Sequence, residues 1–209
     1  EPENPEEPEE PENPEEPEEP ENPEEPEEPE NPEEGHAWVD LGLPSGKKWA
    51  TCNVGANAPE DYGDYFAWGE TSPKAEYTYE NSITHGEQMS DISGSAQYDA
   101  ATANWGASWR MPTKEELEEL CLKCTWEMTE INGVKGKLVT GPNGNSIFFP
   151  AAGIRDCNGD VNSVGSYGLF WSSTPNGSEY AYYLGFYSDK VYMNDYIRCY
   201  GLSVRLVQD

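Results

Sequence analysis

The chain has 209 residues and a formal net charge of −29, from 41 Asp and Glu against 12 Lys and Arg. That balance speaks against nucleic acid or an anionic membrane surface as partner, because no part of the chain clusters the cations that neutralise phosphate. No run approaches the roughly eighteen consecutive apolar residues of a membrane-spanning helix.

In chain order, the first element is a repeat. EPENPEEPE occurs three times and is then cut short as EPENPEE, so residues 1–34 hold 19 Glu, 11 Pro and 4 Asn and nothing else. With no apolar side chain to bury, this segment has nothing to offset the entropy of folding and is not a domain. Its prolines are Pro2, Pro5, Pro8, Pro11, Pro14, Pro17, Pro20, Pro23, Pro26, Pro29 and Pro32, one at every third position. Three residues is the turn of a polyproline II helix, and repulsion among the glutamates favours the same extended form. The expectation is an arm reaching about 105 Å, with all its prolines along one edge. The chain starts inside the repeat without a methionine, so a secretion signal or anchor would lie upstream of Glu1.

Residues 35–209 are expected to form one domain, long enough to bury a core unaided. Its charge is −10, since the tail accounts for 19 of the 41 acidic residues and leaves 22 against 12 basic ones. Frequent glycine and short apolar runs cut by Pro44-Ser-Gly, Gly141-Pro-Asn-Gly and Asn176-Gly predict a β-rich domain. Strands are expected at 38–43, 48–53, 134–139, 146–149, 180–187, 190–193 and 203–207. Asp99 as N-cap and Gly106 as terminator predict a short helix between them. Thr113-Lys-Glu-Glu116 is a capping box, after which Leu117, Leu120, Cys121 and Cys124 recur at helical spacing. The fold class is therefore α+β, mostly antiparallel with two helices. The five cysteines, Cys52, Cys121, Cys124, Cys157 and Cys199, leave at least one without an intramolecular partner if disulfides form.

Several stretches, VDLGLPSGKKWATCNVGA (39–56), EDYGDYFAWGET (60–71), NWGASWRMPTKEELEEL (104–120), GPNGNSIFFPAAG (141–153), GSYGLFWSS (165–173) and RCYGLSVRLV (198–207), resemble the Fibrobacter succinogenes major paralogous domain family. The resemblance runs through nearly all of 39–207 and leaves the tail out. It implies a C-type-lectin-like domain, on secreted or surface-anchored proteins of Bacteroides-type bacteria, with the first and last strands paired. It brings no catalytic motif with it.

The residues themselves argue against an enzyme. There is no HExxH, GxSxG or phosphate loop, and only His36 and His85 could act as imidazole bases. The Cys121–Cys124 pair falls at the far end of a helix, where thiols are not activated, and reads as core. Asp156, Asn158 and Asp160 alternate as in a calcium loop but lack the glycine at position six and the closing glutamate, so a polar turn is preferred to a calcium site. No cofactor is expected. The densest unusual feature is 167–200, with eleven aromatic residues. Strand alternation puts Tyr180, Tyr182, Leu184 and Phe186 on one face and Tyr183 and Tyr187 on the other. The second face, with Asp189, Tyr192, Asn194, Asp195 and Tyr196, combines flat rings and polar tips as binding surfaces do.

Two functions follow as expectations. The favoured one is a structural subunit of an extracellular filament, self-associating through the arm, because a rod touching neighbours at regular intervals benefits from a strict repeat. Its glutamates would then need divalent cations, neighbouring Lys and Arg, or attached sugar to offset their repulsion. The alternative is a cell-surface module that binds glycan or protein and uses the arm as a stalk.

Overall fold

The computed structural model describes residues 36–209. The repeat, with the proline edge expected of it, lies outside the described residues.

Strand β1 (Trp38–Asp40) turns back through a bend closed by the Gly46 N–H on the Leu43 carbonyl and enters β2 (Lys48–Asn53). A long irregular stretch follows, anchored where Phe66 bridges Leu202. Helix α1 (Ala100–Trp105) starts where the Asp99 carboxylate accepts the Ala101 and Thr102 N–H groups. Helix α2 (Lys114–Lys123) starts at the Thr113–Glu116 capping box and stops at Cys124, which is its C-cap rather than a helical residue. The meander β3 (Thr125–Ile131), β4 (Val134–Thr140), β5 (Ser146–Pro150) comes next, then the two-residue strands β6 (Ile154–Arg155) and β7 (Val161–Asn162). The chain finishes with β8 (Tyr167–Asn176), β9 (Tyr180–Tyr187), β10 (Lys190–Ile197) and β11 (Arg205–Gln208). The sheets, all antiparallel, order as β1-β2-β11, β3-β4-β5, β8-β9-β10 and β6-β7, an α+β arrangement.

Several sequence expectations change. The first and last strands do not pair: Trp49 of β2 lies opposite Val39 on one side and Val207 on the other. β2 takes the middle by pairing along both edges, while its neighbouring Trp49 and Ala50 are fully buried on opposite faces, one in each core. β3, β6, β7 and β8 are additional to the expected strands, β1 ends at Asp40 instead of residue 43, and β11 is Arg205–Gln208 instead of 203–207. β3 is polar and largely exposed, although Asn132-Gly133 behind it, both with positive φ, is the dipeptide of a tight hairpin turn. β10 runs four residues further than expected, paired with β9 along its whole length.

Alternation along the central strands sends neighbouring side chains into two cores. Leu169, Trp171, Ala181 and Tyr183 join Ala50, Phe66, Trp68, Trp109 and Leu206 in one. Phe170, Leu184 and Phe186 join Trp49, Leu117, Leu120, Phe149 and Val207 in the other. Each fully buried phenylalanine in such a core contributes about 2–3 kcal/mol. The β8–β9–β10 sheet is thus packed on both faces over much of its length, as an alternating pattern of rings on both sides allows.

Candidate functional site

The β9–β10 hairpin carries an open hollow of about 480 Å³ lined by Tyr183, Tyr187, Asp189, Lys190, Val191, Tyr192 and Asn194. Its construction starts with register: Tyr192 lies opposite Gly185, Asn194 opposite Tyr183 and Lys190 opposite Tyr187, so these side chains share a face. Gly185 makes the space. A Cβ there would come within 2.7 Å of the Tyr192 ring and 2.9 Å of Tyr183, closer than atoms pack. Tyr192 leans over the glycine and meets Tyr183 edge-on at 6.1 Å and Tyr187 at 5.8 Å between centroids, while Tyr187 stacks on Tyr167 at 4.8 Å. Such edge-on and stacked pairs hold one another's orientation.

The lining grades from dry to wet. Tyr183 is the floor, 4% exposed and part of the core, and burial raises its phenol well above the usual range, with the Tyr192 hydroxyl beside it adding to the effect. It is therefore a buried support and not the free ring that strand alternation alone suggested. Tyr187 and Tyr192 are half-buried, and Asp189, Lys190 and Asn194 at the rim are exposed. The Lys190 ammonium lies 5.4 Å from the Tyr187 ring centroid, and the Tyr187 hydroxyl raises its pKa. The expected surface is assembled except at two residues. Tyr196 packs edge-on against Tyr183 and Tyr200 next to the hollow without lining it. Asp195 pairs with Tyr182 on the opposite face and accepts the Asn176 Nδ2 at 2.7 Å, because it stands one position from Asn194 and three from Tyr192, and side chains at odd offsets on a strand point to opposite faces.

A neighbouring hollow of about 430 Å³, lined by Trp126, Glu127, Met128, Lys137, Ser188 and Asp189, was not foreseen. Asp189 belongs to both. Lys137 is only 1% exposed; desolvation lowers its pKa and the Asp189 carboxylate partly opposes that. Nothing in the sequence singles out this lysine, since Lys135 on the same strand face is exposed.

The remaining candidates are engaged elsewhere. Asp156 Oδ1 accepts the Asn158 and Asp160 N–H groups and its Oδ2 accepts the Asn162 Nδ2, so the oxygen-rich loop is folded on its own carboxylate. Among the described residues no three His, Cys, Asp or Glu side chains gather as metal ligands would. Burial raises the Cys121 and Cys124 thiols to about 12 and about 11, so neither is a ready nucleophile. His36 stacks on Trp105 at 3.6 Å and His85 lies edge-on to Tyr79; neither lines the hollow. Among the described residues no helix is long and apolar enough to cross a membrane.

The most distinctive words of the sequence act as structural staples. Arg110 of WRMPT grips both Glu116 oxygens at 2.8 and 2.7 Å. Arg205 of SVRLV is buried, lies over Phe149, and donates to Asn53 Oδ1 and to the carbonyls of Ala50, Thr51 and Phe148, which ties β2, β5 and β11 together. Arg198 of RCYG lies over Trp68 and donates to four carbonyls, those of Tyr180, Thr84, Glu87 and Gly177. Without a carboxylate to hold the charge, burial lowers both of these arginines to about 10.

A family described as a domain of unknown function, DUF8237, matches residues 114–207, the stretch from α2 to β11 that includes the tyrosine hairpin. Neither the curated proteins nor the solved structures contain a match to this chain.

Proposed function

We propose that residues 36–209 are an extracellular, cell-surface recognition module of C-type-lectin-like fold whose tyrosine hollow binds carbohydrate. The observation that carries this reading is the packing of Tyr192 over Gly185, which leaves half-buried rings beside an exposed carboxylate, amide and ammonium. Flat rings stack on the apolar face of a sugar, while Asp189 and Asn194 accept its hydroxyl protons and Lys190 donates to its oxygens. The lectin-like fold is supported by the β1-β2-β11 sheet that gathers both ends of the domain, by the long irregular segment, and by the sequence resemblance. The module is read as non-enzymatic, with no cofactor, because neither hollow is lined by an imidazole or a thiol. A glycan array probed with the full chain tests the proposal. Some glycan is expected to bind, and Tyr187→Ala with Tyr192→Ala should weaken it at least about tenfold, roughly 1.4 kcal/mol, while a cooperative melting transition shows that the variant stays folded. No glycan bound, or equal binding by the double variant, overturns the reading.

A second reading is favoured by the strict nine-residue repeat: the arm mediates homopolymerisation and the protein is a filament subunit. Proline at every third residue removes a ladder donor too often for a donated β-strand, so the arm would pack as a polyproline II rod. Electron microscopy should show filaments from the full chain and monomers from a chain starting at Gly35. Monomers from both leave the arm as a stalk for the module.

A further inference from the structure

The odd cysteine count resolves once the fold is known. Arg155 and Gly201 exchange both backbone hydrogen bonds, each at 2.9 Å, as an antiparallel bridge. Cys157 lies two residues beyond this bridge on one segment and Cys199 two residues before it on the other, so the antiparallel register sets them opposite each other. Both are fixed from behind. Cys157 follows Asp156, whose carboxylate closes the loop, and Cys199 follows Arg198, whose guanidinium is held by four carbonyls. Their sulfurs are 2.9 Å apart, within an ångström of the ~2.05 Å bond. The other three thiols have no such neighbour: Cys52 points to the Ala56 carbonyl, and Cys121 and Cys124 pack at the end of α2 against the second core.

We propose that Cys157 and Cys199 form an intramolecular disulfide, the oxidant being a small-molecule or protein disulfide, and that Cys52, Cys121 and Cys124 remain thiols. Cys157 is half-exposed and Cys199 buried, which sets the order of events. The Cys157 thiolate attacks the oxidant disulfide, forms a mixed disulfide and releases one thiolate. The Cys199 sulfur then attacks Cys157 and releases the second. Two protein S–H bonds are lost and one S–S bond forms; the oxidant gains the two electrons and two protons and leaves as two thiols. Burial holds the Cys199 thiol high, so Cys199 is a poor leaving group and the closed disulfide resists reduction. Such a bond persists in an oxidising compartment, and it would pin the Asp156–Asn162 loop to the segment that follows β10.

The test uses the full chain, fully reduced, freed of reductant and incubated with oxidised glutathione. Maleimide labelling under denaturing conditions should count three thiols of the five, and a non-reducing digest should yield a single linked pair containing Cys157 and Cys199. Cys157→Ser should label at four thiols with no linked pair, whereas Cys52→Ser should keep the pair. Five thiols in the wild-type chain, a glutathione adduct left on Cys157, or a link through Cys52, Cys121 or Cys124 would each overturn the proposal, and none of these readouts requires a variant to fold.

Discussion

Asp99 shows how much one side chain can carry. It reads as an ordinary helix cap, yet its buried carboxylate accepts four backbone N–H groups, from Ala101 and Thr102 inside α1 and from Gly94 and Met111 outside it. Asp99→Ala orphans all four and should cost about 3 kcal/mol in urea denaturation. Asp99→Asn should cost about 1–2 kcal/mol, since its single oxygen serves the helix while its amide turns donors toward Gly94 and Met111. Lys137 makes a pH-dependent prediction. Its folded pKa is lowered by burial, so between that value and the unfolded value of about 10.4 the unfolded chain binds more protons than the folded one. Stability from this residue therefore rises as pH increases through that window and is depressed below it. Lys137→Met should stabilise the protein at pH 7, with the gain shrinking toward pH 10 when denaturation is followed at both; a gain independent of pH would contradict the assignment.

At the scale of elements, turns lock onto turns. The Asn143 and Asn145 side chains both donate to the Asp40 carbonyl at 2.9 Å, which docks the β4–β5 connection on the bend after β1. Gly141 permits the approach, since a Cβ there would lie 2.0 Å from the Leu41 carbonyl oxygen. That contact is with backbone and cannot be relieved by rotating a side chain. Gly141→Ala should cost roughly 2–3 kcal/mol. Gly144→Ala, at φ +91 with nothing within 4 Å, strains only the backbone and should cost about 1 kcal/mol. Comparing the two melting curves separates steric from torsional cost. The helix starts were legible because an N-cap or capping box spans only about four residues and needs no tertiary partner, whereas the end of α2 falls at Cys124, one of the positions read as helical. β3 carries a local signal in Asn132-Gly133, but within the strand only Trp126 and Met128 alternate as apolar residues, too short a pattern to mark it. β8 was hidden differently: Leu169, Phe170, Trp171, Ser172 and Ser173 are consecutively buried, so no two-residue period marks it.

For the whole molecule, the Cys157–Cys199 link would close a loop of 42 residue steps, worth about 4 kcal/mol on chain-entropy grounds. Calorimetry of the oxidised chain should place its melting temperature on the order of 10 °C above that of the reduced chain. The sequence by itself determined the β-rich class with two helices, the cap residues and the side-chain alternation of β9. All of these follow from composition or from neighbours within about four positions. It also pointed to Tyr187, Asp189, Tyr192 and Asn194, through strand alternation and the mix of flat rings and polar tips that follows it. Only the tertiary structure decided that Tyr183 is a floor and not a rim, that Asp195 faces away, that Lys137 is buried beside Asp189, and that β2 separates the first strand from the last. It alone set Cys157 against Cys199. Each of these depends on which distant segment covers a given face, and alternation along one strand says only that there are two faces.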